Sequence, residues 1–134
     1  MKTVLVTGGF DPIHKGHIEY LKYAKELGDK LIVGLNSDHW LTRKKGQPFM
    51  DLENRAMVIQ SLSMVDEVIV FNDEDNTANH AIHQVLQHHD NVIFANGGDR
   101  IKSFVPEYEK YKNDERVKFV FNVGEKRQRA VVGC

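Results

Sequence analysis

The sequence predicts an α/β fold in which a parallel sheet is covered by helices on both faces. Short, continuous apolar runs alternate with segments of helical periodicity along all 134 residues. The strands of a parallel sheet are buried on both faces, so they appear as continuous apolar runs and not as alternating patterns. The length corresponds to about one domain. No linker or repeat divides the chain, and we therefore predict a single domain over residues 1–134.

Five short apolar runs predict the strands. They lie at residues 3–6, 31–35, 68–71, 92–95 and 117–123. Glycine pairs follow the first and the fourth run, at Gly8-Gly9 and Gly97-Gly98. Ligands of such sheets bind beyond the carboxyl ends of the strands, where the strand order reverses. We therefore predict a Rossmann-like, doubly wound, five-stranded parallel sheet, with one cleft lined by both glycine-rich ends if those two strands are neighbours.

Periodicity and capping residues indicate the first two helices. Apolar side chains recur every three residues from 17 to 27, and Gly28 is placed as a C-cap. Asp51 is typical of an N-cap, for a helix whose apolar positions extend to Leu62. Between the second strand and Asp51, we expect residues 36–47 to form a polar, basic loop with room for one helical turn.

Two further helices are predicted in the second half of the chain. Residues 78–86 carry an apolar stripe at helical spacing, after an acidic turn at residues 72–76. Residues 103–113 predict a helix with Pro106 near its first turn, where proline is tolerated. Strands and helices therefore alternate along the chain, as the crossover connections of a parallel sheet require.

Composition excludes several classes of protein. Eighteen Lys and Arg residues face 19 Asp and Glu, so the net charge is -1 and no strong field exists to hold nucleic acid or an anionic membrane. The single cysteine cannot close an intramolecular disulfide, and it excludes cysteine-rich metal sites. No apolar run approaches the length of about 18 residues that spans a membrane. No signal peptide is recognisable, and we expect a cytoplasmic protein without membrane or nucleic-acid partners.

The loop after the first strand is the richest in chemistry. Gly8 and Gly9 allow a ligand to approach the backbone. His14 and His17 lie three residues apart at the start of a helix, beside free backbone N–H groups. Such a helix start binds anions, and the two imidazoles add donors; Gly16 removes a side chain where a phosphate would approach. The alternative interpretation is a pair of exposed surface histidines.

These residues resemble a known family. Gly9-Phe10-Asp11 followed by His14-Lys15-Gly16-His17 resembles the HxGH signature of the cytidylyltransferase-like nucleotidyltransferases. Further stretches resemble the subfamily that contains heptose-1-phosphate adenylyltransferases and glycerol-3-phosphate cytidylyltransferases. They are Leu27-Gly28-Asp29, Val33-Gly34-Leu35-Asn36-Ser37-Asp38, Arg43-Lys44-Lys45-Gly46, Leu52-Glu53-Asn54-Arg55, Val65-Asp66-Glu67-Val68 and Gly97-Gly98-Asp99. The resemblance covers about residues 1–123 and is nearer to the heptose-phosphate enzymes, although Arg100 departs from their usual aromatic residue.

The resemblance implies transfer of a nucleoside monophosphate from ATP or CTP to a phosphorylated sugar or polyol, with release of pyrophosphate. Adenylyl transfer to a heptose-phosphate-like acceptor is expected. Glycerol-3-phosphate cytidylyltransferase activity is one alternative, and a nucleotide-binding module that has lost catalysis is another. The resemblance also implies a homodimer. We expect Mg²⁺, held mostly by phosphates and water and not by a protein metal site, because few carboxylates are available.

The resemblance assigns roles residue by residue. His14 and His17 would donate to phosphate oxygens as charge builds there, and Lys45 would clamp phosphate. The remaining expected nucleotide- or substrate-binding residues are Gly8, Gly9, Phe10, Asp11, Gly16, Arg43, Lys44, Arg55, Gly97, Gly98, Asp99 and Arg100.

Each of these roles has a structural alternative. Residues 43–45 could form a solvated loop, and Arg55 could pair with Glu53 or Asp51 on the surface. Asp99 could cap the next turn. Trp40 could lie over an acceptor or at a dimer contact. His80 and His83 are interpreted as the polar side of a helix and not as metal ligands.

The tail departs from the family pattern. Related enzymes usually end with an element rich in Ser and Thr that binds the triphosphate, whereas no Ser or Thr follows Ser103 here. Arg127 and Arg129 could supply positive charge instead. Alternatively, a one-base change of reading frame has altered residues 124–134, which the coding DNA would decide. If the element is absent, we expect weak triphosphate binding and low activity.

Overall fold

One sheet runs through the molecule, which the computed structural model describes over residues 1–97, 105–124 and 131–132. Its strands are β1 (Thr3–Gly8), β2 (Lys30–Leu35), β3 (Glu67–Val70), β4 (Val92–Gly97), β5 (Val117–Val123) and β6 (Val131–Val132). They lie in the order β3-β2-β1-β4-β5-β6. β1 to β5 pair in parallel, which confirms the prediction. The two-residue β6 adds an antiparallel edge beside β5 that we did not predict.

Five helices connect these strands in the described residues. They are α1 (Lys15–Lys25), α2 (Asp38–Lys45), α3 (Leu52–Gln60), α4 (Asn79–Leu86) and α5 (Pro106–Tyr111). Asp51 caps α3 and Pro106 begins α5, as predicted. Residues 103 and 104, where we expected the last helix to start, lie outside the described residues.

The prediction of a loop at residues 36–47 is wrong, because most of this segment is α2. Ser37 caps the helix, and its side-chain oxygen accepts a hydrogen bond from the backbone N–H of Trp40. Cations in the last turn match the negative end of the helix dipole. Gly46 then ends the helix at a φ of 96°, which glycine adopts readily. Only Leu41 of this helix is buried, so the apolar spacing that reveals other helices is weak here.

Helices cover both faces of the sheet, as predicted. Alternate side chains of a strand point to opposite faces. Leu5 joins a cluster with Ile82 of α4, and its neighbours Val4 and Val6 join a second cluster with Leu21 of α1. The second cluster also takes in α3. Both sides of β1 are therefore sealed from water, and ligands can reach it only at its ends.

The strand order reverses between β1 and β4. The chain moves from β1 to β2 and β3 in one direction and returns through β4 and β5 in the other. β1 and β4 are paired from Thr3 with Val92 to Leu5 with Phe94. The first and fourth strands are therefore neighbours, which the sequence had left open. The loop after β1 lies at the position where such sheets bind ligands.

Within the described ranges, no helix combines the length and the apolar character needed to cross a membrane.

Candidate functional site

A cleft of ≈ 730 Å³ opens where the strand order reverses. Its walls come from the loop after β1, the start of α1, the helix α2, and the segment that enters α4. The predicted site residues in its lining are Gly8, Gly9, Phe10, Asp11, His14, His17, Lys44 and Lys45. Gly16, Arg43, Arg55 and Gly97 are not among its lining residues. Gly98, Asp99 and Arg100 lie outside the described residues, as do Arg127 and Arg129.

His14 and His17 form the start of α1. His14 is the N-cap residue, and its Nδ1 accepts a hydrogen bond of 3.0 Å from the backbone N–H of Gly16. The Nδ1 of His17 accepts one of 3.2 Å from the backbone N–H of His14. The two rings are stacked with centroids 3.9 Å apart. Two histidines therefore make the reciprocal capping contacts that Ser or Thr and Glu make in an ordinary capping box.

These hydrogen bonds determine which ring nitrogens carry protons. A nitrogen that accepts from an N–H has no proton of its own, so each neutral ring carries its proton on Nε2. Burial of the His17 ring, and then the nearby charge of His14, lower the pKa of His17 from 6.5. His17 is therefore a neutral imidazole with an Nε2–H donor at pH 7, in the wall of the cleft.

Gly16 and Gly9 leave room for neighbouring side chains. A Cβ at Gly16 would stand 2.9 Å from Cε1 of His14, and a Cβ at Gly9 would stand 2.9 Å from Cδ2 of Leu41. The structure thus gives Gly16 a role beside the one expected from the sequence: it lets the His14 ring fold back over the helix start. Gly97, at the end of β4, packs against the ring of Tyr20.

Asp11 and Lys45 form an ion pair at the mouth of the cleft. The Nζ of Lys45 lies 2.7 Å from Oδ2 of Asp11, whose side chain is fully buried. The same carboxylate accepts hydrogen bonds from the backbone N–H groups of Phe49 and Met50. Burial opposes ionisation, but the bonds from Lys45, Phe49 and Met50 outweigh it and lower the pKa of Asp11 below 3.8. Asp11 therefore holds Lys45 and the segment after α2 against the first loop.

Arg55 is a buried cross-link, which corrects both expectations for it. Its residue is 1% exposed, so its guanidinium cannot reach a ligand in the cleft. It donates to the backbone oxygens of Gly9, Asn36 and Met50 and to the carboxylate of Asp38. The ion pair is with Asp38 and not with Glu53 or Asp51. Arg55 thus ties the loop after β1 to the loop after β2.

Asp73 is a site residue that sequence reasoning missed. It is 3% exposed, and its carboxylate accepts hydrogen bonds from Nδ2 of Asn36 and from both the backbone N–H and the hydroxyl of Ser37. Burial raises its pKa, but the bonds from Ser37 and Asn36, followed by the charge of Arg43, lower it overall. Its position after the third strand was the one available signal, because that edge of the sheet carries the other loops of the site.

Arg43 supports the same junction. Its guanidinium donates to the backbone oxygen of Asp73 at 3.0 Å and to Oδ1 of Asn76 at 3.1 Å. On the far wall, the buried carboxylate of Glu107 accepts a hydrogen bond of 2.7 Å from the backbone N–H of Ala78. Sequence reasoning missed Glu107 as well. The segment from Asp73 to Ala78 is therefore held from both sides.

A smaller hollow of ≈ 300 Å³ adjoins the cleft. It is lined by Trp40, Arg43, Lys44 and Asn76, and three of these, all except Arg43, also line the cleft. The Nζ of Lys44 lies 4.6 Å from the centroid of the Trp40 ring. The predicted alternative of a solvated loop for residues 43–45 is wrong for Arg43 and Lys45, since each holds specific partners.

His80 and His83 are exposed on α4, on the polar side that the sequence predicted. His80 lies 3.9 Å from a carboxylate oxygen of Asp75. Over residues 1–97, 105–124 and 131–132, no three His, Cys, Asp or Glu side chains come together as a group that could hold a metal ion.

The cleft combines a helix start capped by two imidazoles with two lysines and a glycine-rich loop. It lies at the reversal point of a parallel sheet, where α/β proteins bind anionic ligands. The model of one family, described as cytidylyltransferase-like, matches residues 5–131. The chain belongs to the cytidylyltransferase-like family, which confirms the resemblance in the sequence motifs.

Curated relatives share part of the chain. The Bifunctional protein HldE of Helicobacter pylori strain P12 is 51% identical over 75 residues, which cover 54% of this chain and 16% of that protein. The Bifunctional protein HldE of Haemophilus influenzae strain PittGG is 41% identical over 100 residues, or 73% of this chain and 20% of that protein. The chain therefore spans at most about a fifth of the length of these two relatives.

A solved structure is similar over nearly its whole length. The lipopolysaccharide core biosynthesis protein from Thermoplasma volcanium GSS1 superposes with a TM-score of 0.72 at 29% identity. The match covers 96% of this chain and 99% of that one. The two chains therefore share one fold over nearly all the residues compared.

Proposed function

We propose that this chain transfers a nucleoside monophosphate from a nucleoside triphosphate to a sugar phosphate and releases pyrophosphate. Family membership and the likeness to HldE proteins support this proposal. The observation that carries it is the pair of Nε2–H donors of His14 and His17 at the start of α1, in a cleft that also contains Lys44 and Lys45. We propose adenylyl transfer to a heptose phosphate, which the motifs at residues 33–46 favour.

The chemistry needs positioning more than a strong base. The acceptor phosphate is largely dianionic at pH 7, since the second pKa of a phosphate monoester is about 6. One of its oxygens attacks the α-phosphorus of the nucleotide, and the bond between that phosphorus and the α–β bridging oxygen breaks. Pyrophosphate leaves with the electron pair. The protein has to hold two polyanions in line and to stabilise charge on the phosphoryl oxygens.

The described side chains fit these tasks. The Nε2–H groups of His14 and His17 would donate to the α- and β-phosphate oxygens beside the positive end of α1. Lys45 would exchange its partner Asp11 for a phosphate. The ammonium group of Lys45 would then face an anion both before and after the nucleotide binds. Gly8 and Gly9 would present backbone to the nucleotide.

Mg²⁺ is part of the proposal. When bound, it would neutralise charge on the pyrophosphate leaving group. The carboxylate of Asp11, which lines the cleft, is already engaged by Lys45, Phe49 and Met50. This donor set fits an ion that enters with the triphosphate, coordinated by phosphates and water.

Pyrophosphate release tests the proposal. ATP and CTP are each incubated with Mg²⁺ and with heptose 1-phosphate, mannose 1-phosphate or glycerol 3-phosphate. We expect release with ATP and the heptose phosphate. Release with CTP and glycerol 3-phosphate would establish the alternative cytidylyltransferase instead.

A second candidate is a nucleotide-binding module without catalysis. It is favoured by the composition of residues 104–134, which contain no Ser or Thr to offer hydroxyl groups to a triphosphate. Such a module would bind ATP with Mg²⁺ in calorimetry and release no pyrophosphate with any acceptor.

We also propose a homodimer, on the resemblance alone, and sedimentation velocity should then give twice the chain mass of 15.4 kDa.

A further inference from the structure

We infer that Trp40 is the platform for the sugar ring of the acceptor, and that it selects cyclic sugar phosphates over acyclic polyol phosphates. This inference rests on the proposed function and names its substrate class. Trp40 is the single tryptophan of the chain and lies in the wall shared by the cleft and the smaller hollow.

Trp40 and Asn76 belong to segments that follow the second and third strands. The nucleotide is expected where β1 and β4 diverge, beside the start of α1. Trp40 lies on α2, which follows β2, and Asn76 follows β3. The hollow is therefore built by the segments that follow β2 and β3. In the proposed transfer, the acceptor phosphate attacks the α-phosphorus from the side opposite to the departing pyrophosphate. The hollow offers the acceptor a place to bind beside the nucleotide.

The hollow combines the two groups that a phosphorylated ring requires. The ammonium of Lys44 lies 4.6 Å from the indole centroid, so a phosphate bound by Lys44 brings an attached ring to the indole. An aromatic face is electron-rich and attracts positively polarised groups such as the C–H face of a sugar. An exposed cation–π contact contributes only about 0.5–1 kcal/mol, so Lys44 can readily exchange the indole for a phosphate.

The walls of the hollow are held in place. The backbone N–H of Trp40 donates to Oγ of Ser37, and that hydroxyl donates to the carboxylate of Asp73. Across the hollow, Oδ1 of Asn76 accepts from Arg43, and the backbone N–H of Asn76 donates to Asp73. The buried carboxylate of Asp73 thus positions Trp40 through Ser37, and the backbone oxygen of Asp73 positions Asn76.

Intrinsic fluorescence gives the first test, because all tryptophan emission comes from Trp40. The wild-type chain is titrated with mannose 1-phosphate, glycerol 3-phosphate, inorganic phosphate and, separately, ATP with Mg²⁺. We expect a saturable change in emission with mannose 1-phosphate that is at least about threefold larger than with glycerol 3-phosphate at saturation. Equal changes with all three phosphates would overturn the inference, since the ring would then make no contact. A larger change with ATP alone would also overturn it, because the indole would then stack on the base.

Variants supply the second test. Trp40→Ala should raise the KM for the sugar phosphate at least about tenfold, with kcat and the KM for ATP within about twofold of wild type. Trp40→Phe retains an aromatic face and should restore most of the affinity. Tyr23→Ala is the control, because Tyr23 is an exposed aromatic residue of α1 that lines neither the cleft nor the hollow, and it should leave the acceptor KM unchanged. An unchanged acceptor KM in Trp40→Ala would overturn the inference.

The two proposals fail in different ways. If the wild-type chain releases no pyrophosphate with any acceptor, the proposed function is wrong, while the fluorescence titration still decides whether the indole receives a sugar ring. If pyrophosphate is released and Trp40→Ala behaves as wild type, the proposed function stands and the inference about Trp40 is wrong.

Discussion

His14 and His17 combine a structural and a chemical task in the same side chains. Each Nδ1 satisfies a backbone N–H at the start of α1, which a helix cannot satisfy for itself. This contact leaves Nε2–H of each neutral ring for a ligand. The capping contact therefore orients each ring and fixes the tautomer that carries its proton on Nε2. This tautomer can cap the helix through Nδ1 and donate to a ligand through Nε2.

Replacement of either histidine by alanine tests this double role. His17→Ala should lower kcat a few hundredfold, by analogy with removal of an oxyanion donor, and should destabilise the fold by about 1 kcal/mol through loss of a cap. Pyrophosphate release and urea unfolding measure the two effects. His88→Ala removes an exposed histidine away from the cleft and is the control. A His17→Ala variant with wild-type kcat would contradict the assignment.

The pKa of His17 gives a second prediction at this scale. Burial, and then His14, lower its pKa below the ordinary 6.5 of the unfolded chain. The unfolded chain then binds more protons than the folded chain just below pH 6.5, so the contribution of His17 to stability is complete above that pH and declines as the pH falls below it. An NMR titration of the imidazole Cε1–H should place the His17 midpoint below 6.5; a midpoint at or above 6.5 would contradict it.

Elements of the site are joined by two buried charged groups. Arg55 on α3 binds backbone oxygens of the loops after β1 and β2, and Asp73 after β3 binds the start of α2. Each is engaged by several hydrogen bonds, as a buried charge requires. These two residues place α2, and with it Lys44 and Lys45, against the loop that follows β1.

Removal of Arg55 should therefore destabilise the molecule strongly. Arg55→Met leaves three backbone oxygens without their donor, and a buried acceptor that loses its hydrogen bond typically costs about 1–3 kcal/mol. Loss of the ion pair adds little, because the Asp38 side chain is 41% exposed. Urea unfolding measures the loss. Arg116→Met breaks the exposed pair with Asp114 and should leave the urea midpoint nearly unchanged, because surface pairs contribute little. Equal shifts for both variants would show that Arg55 is not a cross-link.

In the molecule as a whole, the cleft lies where the strand order of the sheet reverses. The two apolar clusters seal both faces of the sheet, so the cleft gains its shape from loops that are anchored to a rigid core. A ligand that bridges α1 and α2 should therefore stabilise the whole domain and not one loop alone.

Nucleotide binding provides the measurement at this scale. A ligand that binds only the folded state stabilises it by about 2.7 kcal/mol at a concentration of 100 times Kd. ATP with Mg²⁺ should raise Tm of the wild-type chain, and should raise it less in Lys45→Met, where a phosphate partner is lost. Calorimetric melting at increasing ATP measures this. An identical rise in both proteins would exclude Lys45 as a phosphate ligand.

Local patterns in the chain were sufficient to predict the strands and the helices with strong apolar stripes. They were also sufficient to predict that the His14 and His17 imidazoles lie at a helix start after Gly8 and Gly9. They were insufficient for α2, whose single buried residue leaves little periodicity, although Ser37 and Gly46 mark its ends.

The sequence alone determined the class of fold and the placement of His14 and His17 at the start of a helix, because apolar periodicity, helix capping and glycine geometry act between near neighbours. Only the tertiary structure decided that Arg55 is buried and bound to Gly9, 46 residues away, and that Asp73 binds Ser37, 36 residues away. The physical reason is that the tertiary fold decides whether a charged side chain is removed from water. The fold also decides which distant backbone groups then replace the water molecules as its hydrogen-bond partners.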